Sequence, residues 1–116
     1  MKTASKRPAP KIIKLDSNER YTRLFSAKYG SAVSFRSGCV LLKKGESIGE
    51  HNTEDAEEIL IILEGKGHLL LGKDERFAFE KGTALYIPPD TVHDVKNTEE
   101  EILKYIFVTC PAAPQH

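Results

Sequence analysis

The chain has 116 residues, enough for one domain and too few for a second core of ordinary size. Its 17 basic side chains are matched by 17 acidic ones, so no net field recommends nucleic acid or an anionic membrane as a partner. No segment approaches the roughly 20 apolar residues that cross a bilayer as a helix, and no apolar h-region follows the basic start MKTASKRPAPK, so the chain reads as cytoplasmic.

Residues 1–10 combine lysines, serine, alanine and two prolines and predict a mobile arm. Residues 11–110 read as a single domain and 111–116 as a tail. Within the domain, short β-type runs cover Lys11–Leu15, Tyr21–Ser26, Ala32–Lys43, Glu58–Glu64, Gly67–Gly72, Arg76–Glu80, Ala84–Ile87, Val92–Asn97 and Ile102–Thr109. Turn residues separate them at Lys44-Gly45, Glu64-Gly65, Gly72-Lys73-Asp74, Lys81-Gly82 and Pro88-Pro89-Asp90. No long stretch carries a 3.6-residue apolar period, so the pattern predicts an all-β sandwich or barrel.

Ile59-Leu60-Ile61-Ile62-Leu63 does not alternate as a strand with one wet face should. If Glu58 points inward, period 2 carries Leu60 and Ile62 inward and leaves Ile59, Ile61 and Leu63 outside. Leu69-Leu70-Leu71 repeats the signature. Outward apolar residues need cover, from the N-terminal arm, flanking elements or a second subunit, and the reading favours a homodimer. Cys39 and Cys110 read as free, packed thiols. Six acidic residues lie between Glu46 and Glu58; most of them read as a solvated loop, with Glu58 the exception.

Two stretches carry the functional signal. In the first, Gly45 is followed after five residues by His51, then Thr53 after one, Glu58 after four and Gly65 after six. In the second, Gly82 is followed after five residues by Pro88, then by Asp90, by His93 after two more and by Asn97 after three. In this order, and with sixteen residues between Gly65 and Gly82, they resemble the paired motifs of the cupin superfamily. The resemblance is tight over Leu41 to Asn97. It implies a double-stranded β-helix, or jelly-roll barrel, whose interior gathers His51, Glu58 and His93 around a divalent transition metal: Fe, Mn, Ni or Zn. Imidazole and carboxylate together suit all of these.

The pattern departs from the family at Thr53, where a fourth ligand, histidine, is usual. A threonine hydroxyl is a poor ligand for these metals, which leaves a set of two histidines and one carboxylate with open positions. Asp90 stands where glycine is usual, in a turn that aspartate tolerates. Thr53 shares parity with His51 and is expected in the pocket. Tyr86 and Tyr105 are candidate hydroxyl donors to it, or aromatic packing with the hydroxyl at the rim. Glu57 and Asn52 alternate away, and His68, Cys39 and His116 are expected to lie outside the site. The family implies a small-molecule ligand or substrate. The chain is then a metal-binding cupin acting on or sensing a small polar organic molecule, as an oxygenase or sugar-isomerase-like enzyme, or a non-catalytic ligand-binding barrel with a degenerate metal site.

Overall fold

The computed structural model describes residues 7–112; most of the expected arm and the end of the tail, His116 included, lie outside them. Nine strands follow in order: β1 Tyr21–Ser26, β2 Arg36–Leu42, β3 His51–Asn52, β4 Ala56–Glu64, β5 Lys66–Leu71, β6 Glu75–Glu80, β7 Ala84–Ile87, β8 Val92–Lys96 and β9 Leu103–Pro111. A single 3-10 turn, Ala27–Tyr29, leaves β1. The strands form a five-stranded sheet, β1-β2-β9-β4-β7, and a four-stranded sheet, β3-β8-β5-β6, antiparallel throughout. This is the all-β double-stranded β-helix. Among the described residues no helix is long and apolar enough to cross a membrane.

The period-2 reading of β4 is borne out from Glu58 to Ile62, after which the register shifts and Leu63 is half-buried. Glu58, Leu60 and Ile62 are buried, while Ile59 and Ile61 are 40% and 39% exposed. Leu60 and Ile62 join Val40, Leu42, Leu69, Phe79, Ile87, Val95, Leu103, Tyr105 and Phe107 in one core. Burying each large apolar side chain contributes about 1.5–3 kcal/mol before the cost of ordering the chain.

Three strand expectations are corrected. Lys11–Leu15 forms no strand, and its backbone pairs with none of the nine. The chain instead passes the outer face of the large sheet, where the Lys104 ammonium donates to the Leu15 carbonyl. Ala32–Phe35 bends before β2 begins at Arg36. His51–Asn52, in the stretch expected as part of a longer strand with Thr53, is a two-residue strand paired to β8.

Candidate metal centre

Each half of the site is delivered by register. His51 on β3 lies directly opposite His93 on β8, and Glu58 on β4 lies opposite Thr109 on β9. The two imidazole rings are 4.1 Å apart, centroid to centroid, tilted by 59°. Ligand atoms of His51, Glu58 and His93 all lie within 4.8 Å of one another, and among the described residues no other three His, Cys, Asp or Glu side chains converge in this way. They open on a cavity of about 170 Å³ whose other walls include Val40, Leu60, Val95 and Phe107. A wider hollow of about 500 Å³ beside His68 and Phe79 has no such donor set.

Hydrogen bonds on the far side of each ligand decide what the near side offers. His51 Nδ1 is 2.9 Å from the Gly49 carbonyl, and His93 Nδ1 is 2.9 Å from the Thr91 carbonyl. A carbonyl only accepts, so both Nδ1 atoms carry the proton and both Nε2 atoms, in the neutral rings, present lone pairs. Thr109 Oγ1 donates to Glu58 Oε2 at 3.1 Å, leaving Oε1 aimed at His93 Nε2, also 3.1 Å away. In neutral His93 that contact sets a lone pair against a carboxylate oxygen. A proton or a metal ion between them relieves it. The backbone-tied imidazoles and the threonine-tied carboxylate are the outer partners that orient metal ligands, so the residues fit a divalent ion.

Without a metal, the proton takes that place. Burial opposes charge on His93, but the hydrogen bond with Glu58, the Thr91 carbonyl and the charges of Glu58 and Asp94 outweigh it and raise its pKa above the ordinary 6.5. A raised folded pKa means stability that is fully present below the unfolded value and lost as pH rises through the folded one. Chelator-treated protein should therefore lose thermal stability as pH rises from about 6.5 into the alkaline range, and His93→Gln should flatten that slope. A melting temperature that climbs over this interval in both proteins contradicts the assignment.

Thr53 sits beside the site but not in its lining. Its hydroxyl donates to the Pro88 carbonyl at 2.7 Å and accepts from the Thr91 N–H at 3.0 Å, while its own N–H reaches the Thr91 carbonyl. Asp90, in the left-handed region at φ 52°, donates its N–H to the Glu54 carbonyl. These bonds staple the end of the first motif to the turn that launches His93, so the parity shared with His51 ends when β3 ends. Thr53→Val should cost about 1–3 kcal/mol of stability and, through Thr91 and His93, about tenfold in metal affinity; calorimetry and metal titration read both. Unchanged metal affinity would show that the staple does not position His93.

The two tyrosines part company. Tyr105 is 2% exposed and lines the cavity; burial pushes its phenol up, so it is a neutral donor. Tyr86 is 57% exposed and is corrected to the outer face. Ile87, not Tyr86, lies opposite Glu58, and alternation turns Tyr86 outward to donate to Glu57 at 2.7 Å. Cys39 is buried on the face away from the cavity, where burial pushes its thiol up. Asn97 is fully buried, donating to the Leu42 and Glu101 carbonyls. No spacing in the motifs marks Thr109 or Arg36, which also lines the cavity. The parity of Arg36 with Val40 and Leu42 on β2 was the available signal.

Comparison with known proteins agrees with the fold. A family model described as a cupin domain matches residues 38–109. The chain is 39% identical over 61 residues to an uncharacterised protein of Methanocaldococcus jannaschii, covering 53% of this chain and 48% of that one. It is 31% identical over 106 residues to a glucose-6-phosphate isomerase of Pyrococcus abyssi, covering 87% and 50%. The chain thus spans about half the length of these curated relatives. A crystal structure of a cupin 2 conserved barrel domain protein from Salinispora arenicola superposes with a TM-score of 0.72 at 27% identity, over 90% of this chain and 91% of that one.

Proposed function

Because the chain belongs to the cupin family, we propose that it binds one divalent transition metal, Fe, Mn, Ni or Zn, through His51, Glu58 and His93, and acts on or senses a small polar organic molecule held beside that ion. The observation that carries this reading is the pair of imidazoles whose Nδ1 atoms are both tied to backbone carbonyls, leaving both Nε2 atoms for the ion. When bound, such an ion supplies Lewis acidity and, for Fe or Mn, redox chemistry. The protein's own part is to hold the carboxylate with Thr109, to keep the cavity dry with Leu60, Val95 and Phe107, and to offer the Tyr105 hydroxyl as a donor. The enzyme version, an isomerase or oxygenase, draws support from the isomerase relative and from a ligand count that leaves coordination positions open. A ligand-binding barrel without catalysis is favoured by one observation: Thr53, where a fourth ligand is usual, is committed to the Pro88 turn.

Elemental analysis of untagged protein after incubation with Fe, Mn, Ni and Zn tests the metal. Close to one ion per chain is expected, and none with any of the four would sink the reading. The two free thiols support a reducing, cytoplasmic setting.

The proposal includes a homodimer, supported by the outer face of the large sheet. There Ile59, Ile61 and Tyr86 remain substantially exposed on the β4–β7 side. Light scattering of Ile61→Glu should report a monomer where the parent protein is dimeric. A parent that is already monomeric at micromolar concentration contradicts the proposal.

A further inference from the structure

We propose that Arg36 makes this cavity a receptor for a short polar carboxylate, gripped by its guanidinium at one end and reaching the His51–Glu58–His93 cluster at the other. The inference rests on the metal-binding reading above and adds to it the chemical class of the ligand.

The placement comes from register. Arg36 on β2 lies opposite Thr109 on β9, which in turn lies opposite Glu58 on β4. One cross-strand row therefore carries Arg36, Thr109 and Glu58 at one level of the barrel. With neighbouring strands about 4.8 Å apart, the Arg36 backbone is about 10 Å from that of Glu58, a gap that the two side chains and a short ligand can close. Arg36 shares its parity with Gly38 and Val40 but, at the exposed start of β2, it lines the cavity from its solvent-facing mouth.

The guanidinium is held but not neutralised. It lies 5.0 Å from the centre of the Phe107 ring, which stacks on Tyr21 at 6.1 Å. Both rings occupy the space over Gly38, where a Cβ would come within 2.7 Å of each. This aromatic shelf limits where the fork can point. Among the described residues no carboxylate pairs with Arg36, and the Tyr105 hydroxyl on the cavity wall has no acceptor. Glu58 is the one carboxylate in the lining. A divalent ion together with Arg36, set against Glu58 and the nearby Asp94 charge that acts on His93, leaves the site net positive, which favours an anion.

Size narrows the class. A volume of about 170 Å³ is the share of about six waters at roughly 30 Å³ each, which suits an acid of about three or four carbons. The planar fork matches a carboxylate in two parallel hydrogen bonds.

The test titrates 3-hydroxypropionate, its neutral amide and inorganic phosphate into metal-loaded protein by calorimetry, with metal content measured on the same samples. The carboxylate should bind at least about tenfold more tightly than the amide. Arg36→Gln should bring that ratio close to one with metal content unchanged, and Arg36→Lys should keep part of it. Equal binding of acid and amide, a preference that survives in Arg36→Gln, or tighter binding of phosphate would each overturn the proposal while leaving the metal reading intact. If no metal binds, that reading fails separately, and the same titration of metal-free protein decides this one. An Arg36-dependent preference supports it and the lack of one overturns it.

Discussion

His51→Ala is expected to strip the metal while leaving the metal-free protein nearly as stable as before, whereas His93→Ala is expected to cost both. The two histidines face each other across one strand pair but sit in different surroundings. His51 is exposed, so its loss opens no cavity and strands no buried partner, and the change in stability should be about 1 kcal/mol or less. His93 is 2% exposed and Glu58 8%. Alanine at His93 leaves the Glu58 carboxylate buried with only the Thr109 hydroxyl, and breaking a buried pair in this way costs about 3–5 kcal/mol. Loss of a partner behind a ligand already lowers metal affinity about 10–100-fold, so loss of either ligand should cost about 100-fold or more. Chelator-treated samples give the stability from denaturant melts, and dialysed samples give the metal content. His93→Gln, which can keep a hydrogen bond to Glu58 but is a poor ligand, should recover part of the stability and none of the metal. Full metal retention by His51→Ala would remove it from the ligand set.

That asymmetry was not legible in the motif spacing, which treats the two histidines alike. Parity could deliver Glu58 inward with Leu60 and Ile62 beneath it, because period 2 is a local property of the chain, while the convergence of His51, Glu58 and His93 came from the resemblance to the cupin motifs. What neither could deliver depends on partners far away in sequence. The Lys11–Leu15 run has β-type composition, but a strand exists only where a neighbour offers its backbone, and Leu15 meets a lysine side chain instead. Thr53 has the parity of a ligand, but β3 is two residues long, and beyond it the side chain answers to Pro88 and Thr91. Tyr86 was recoverable in principle. Once Glu58 is inward and Ile87 pairs with it, the residue before Ile87 must face out, although that pairing is itself a tertiary fact.

The glycine that closes the first motif should prove the more costly of the two motif glycines that bracket the gap between the stretches. Gly65 and Gly82 both hold positive φ, 86° and 84°, and any other residue pays about 1–2 kcal/mol for that conformation. They differ in what a Cβ would meet. At Gly82 nothing lies within 4 Å, whereas at Gly65 the Ile102 carbonyl oxygen would be 2.2 Å away and the Leu103 Cα 3.0 Å. Those are backbone atoms at the entry to β9, and Leu103 is fully buried in the core, so the clash cannot be relieved by a rotamer change. Gly65→Ala must push apart the β4–β5 turn and the start of the strand that carries Tyr105, Phe107 and Thr109. We expect Gly82→Ala to cost about 1 kcal/mol and Gly65→Ala about 3 kcal/mol or more, since strain and displaced backbone add. For a domain of this size each kcal/mol lowers the melting temperature by about 4–8 °C, so the two variants should separate by about 10 °C or more. Equal losses would mean that Gly65 serves only its backbone angle, and that the close approach to β9 relaxes at little cost.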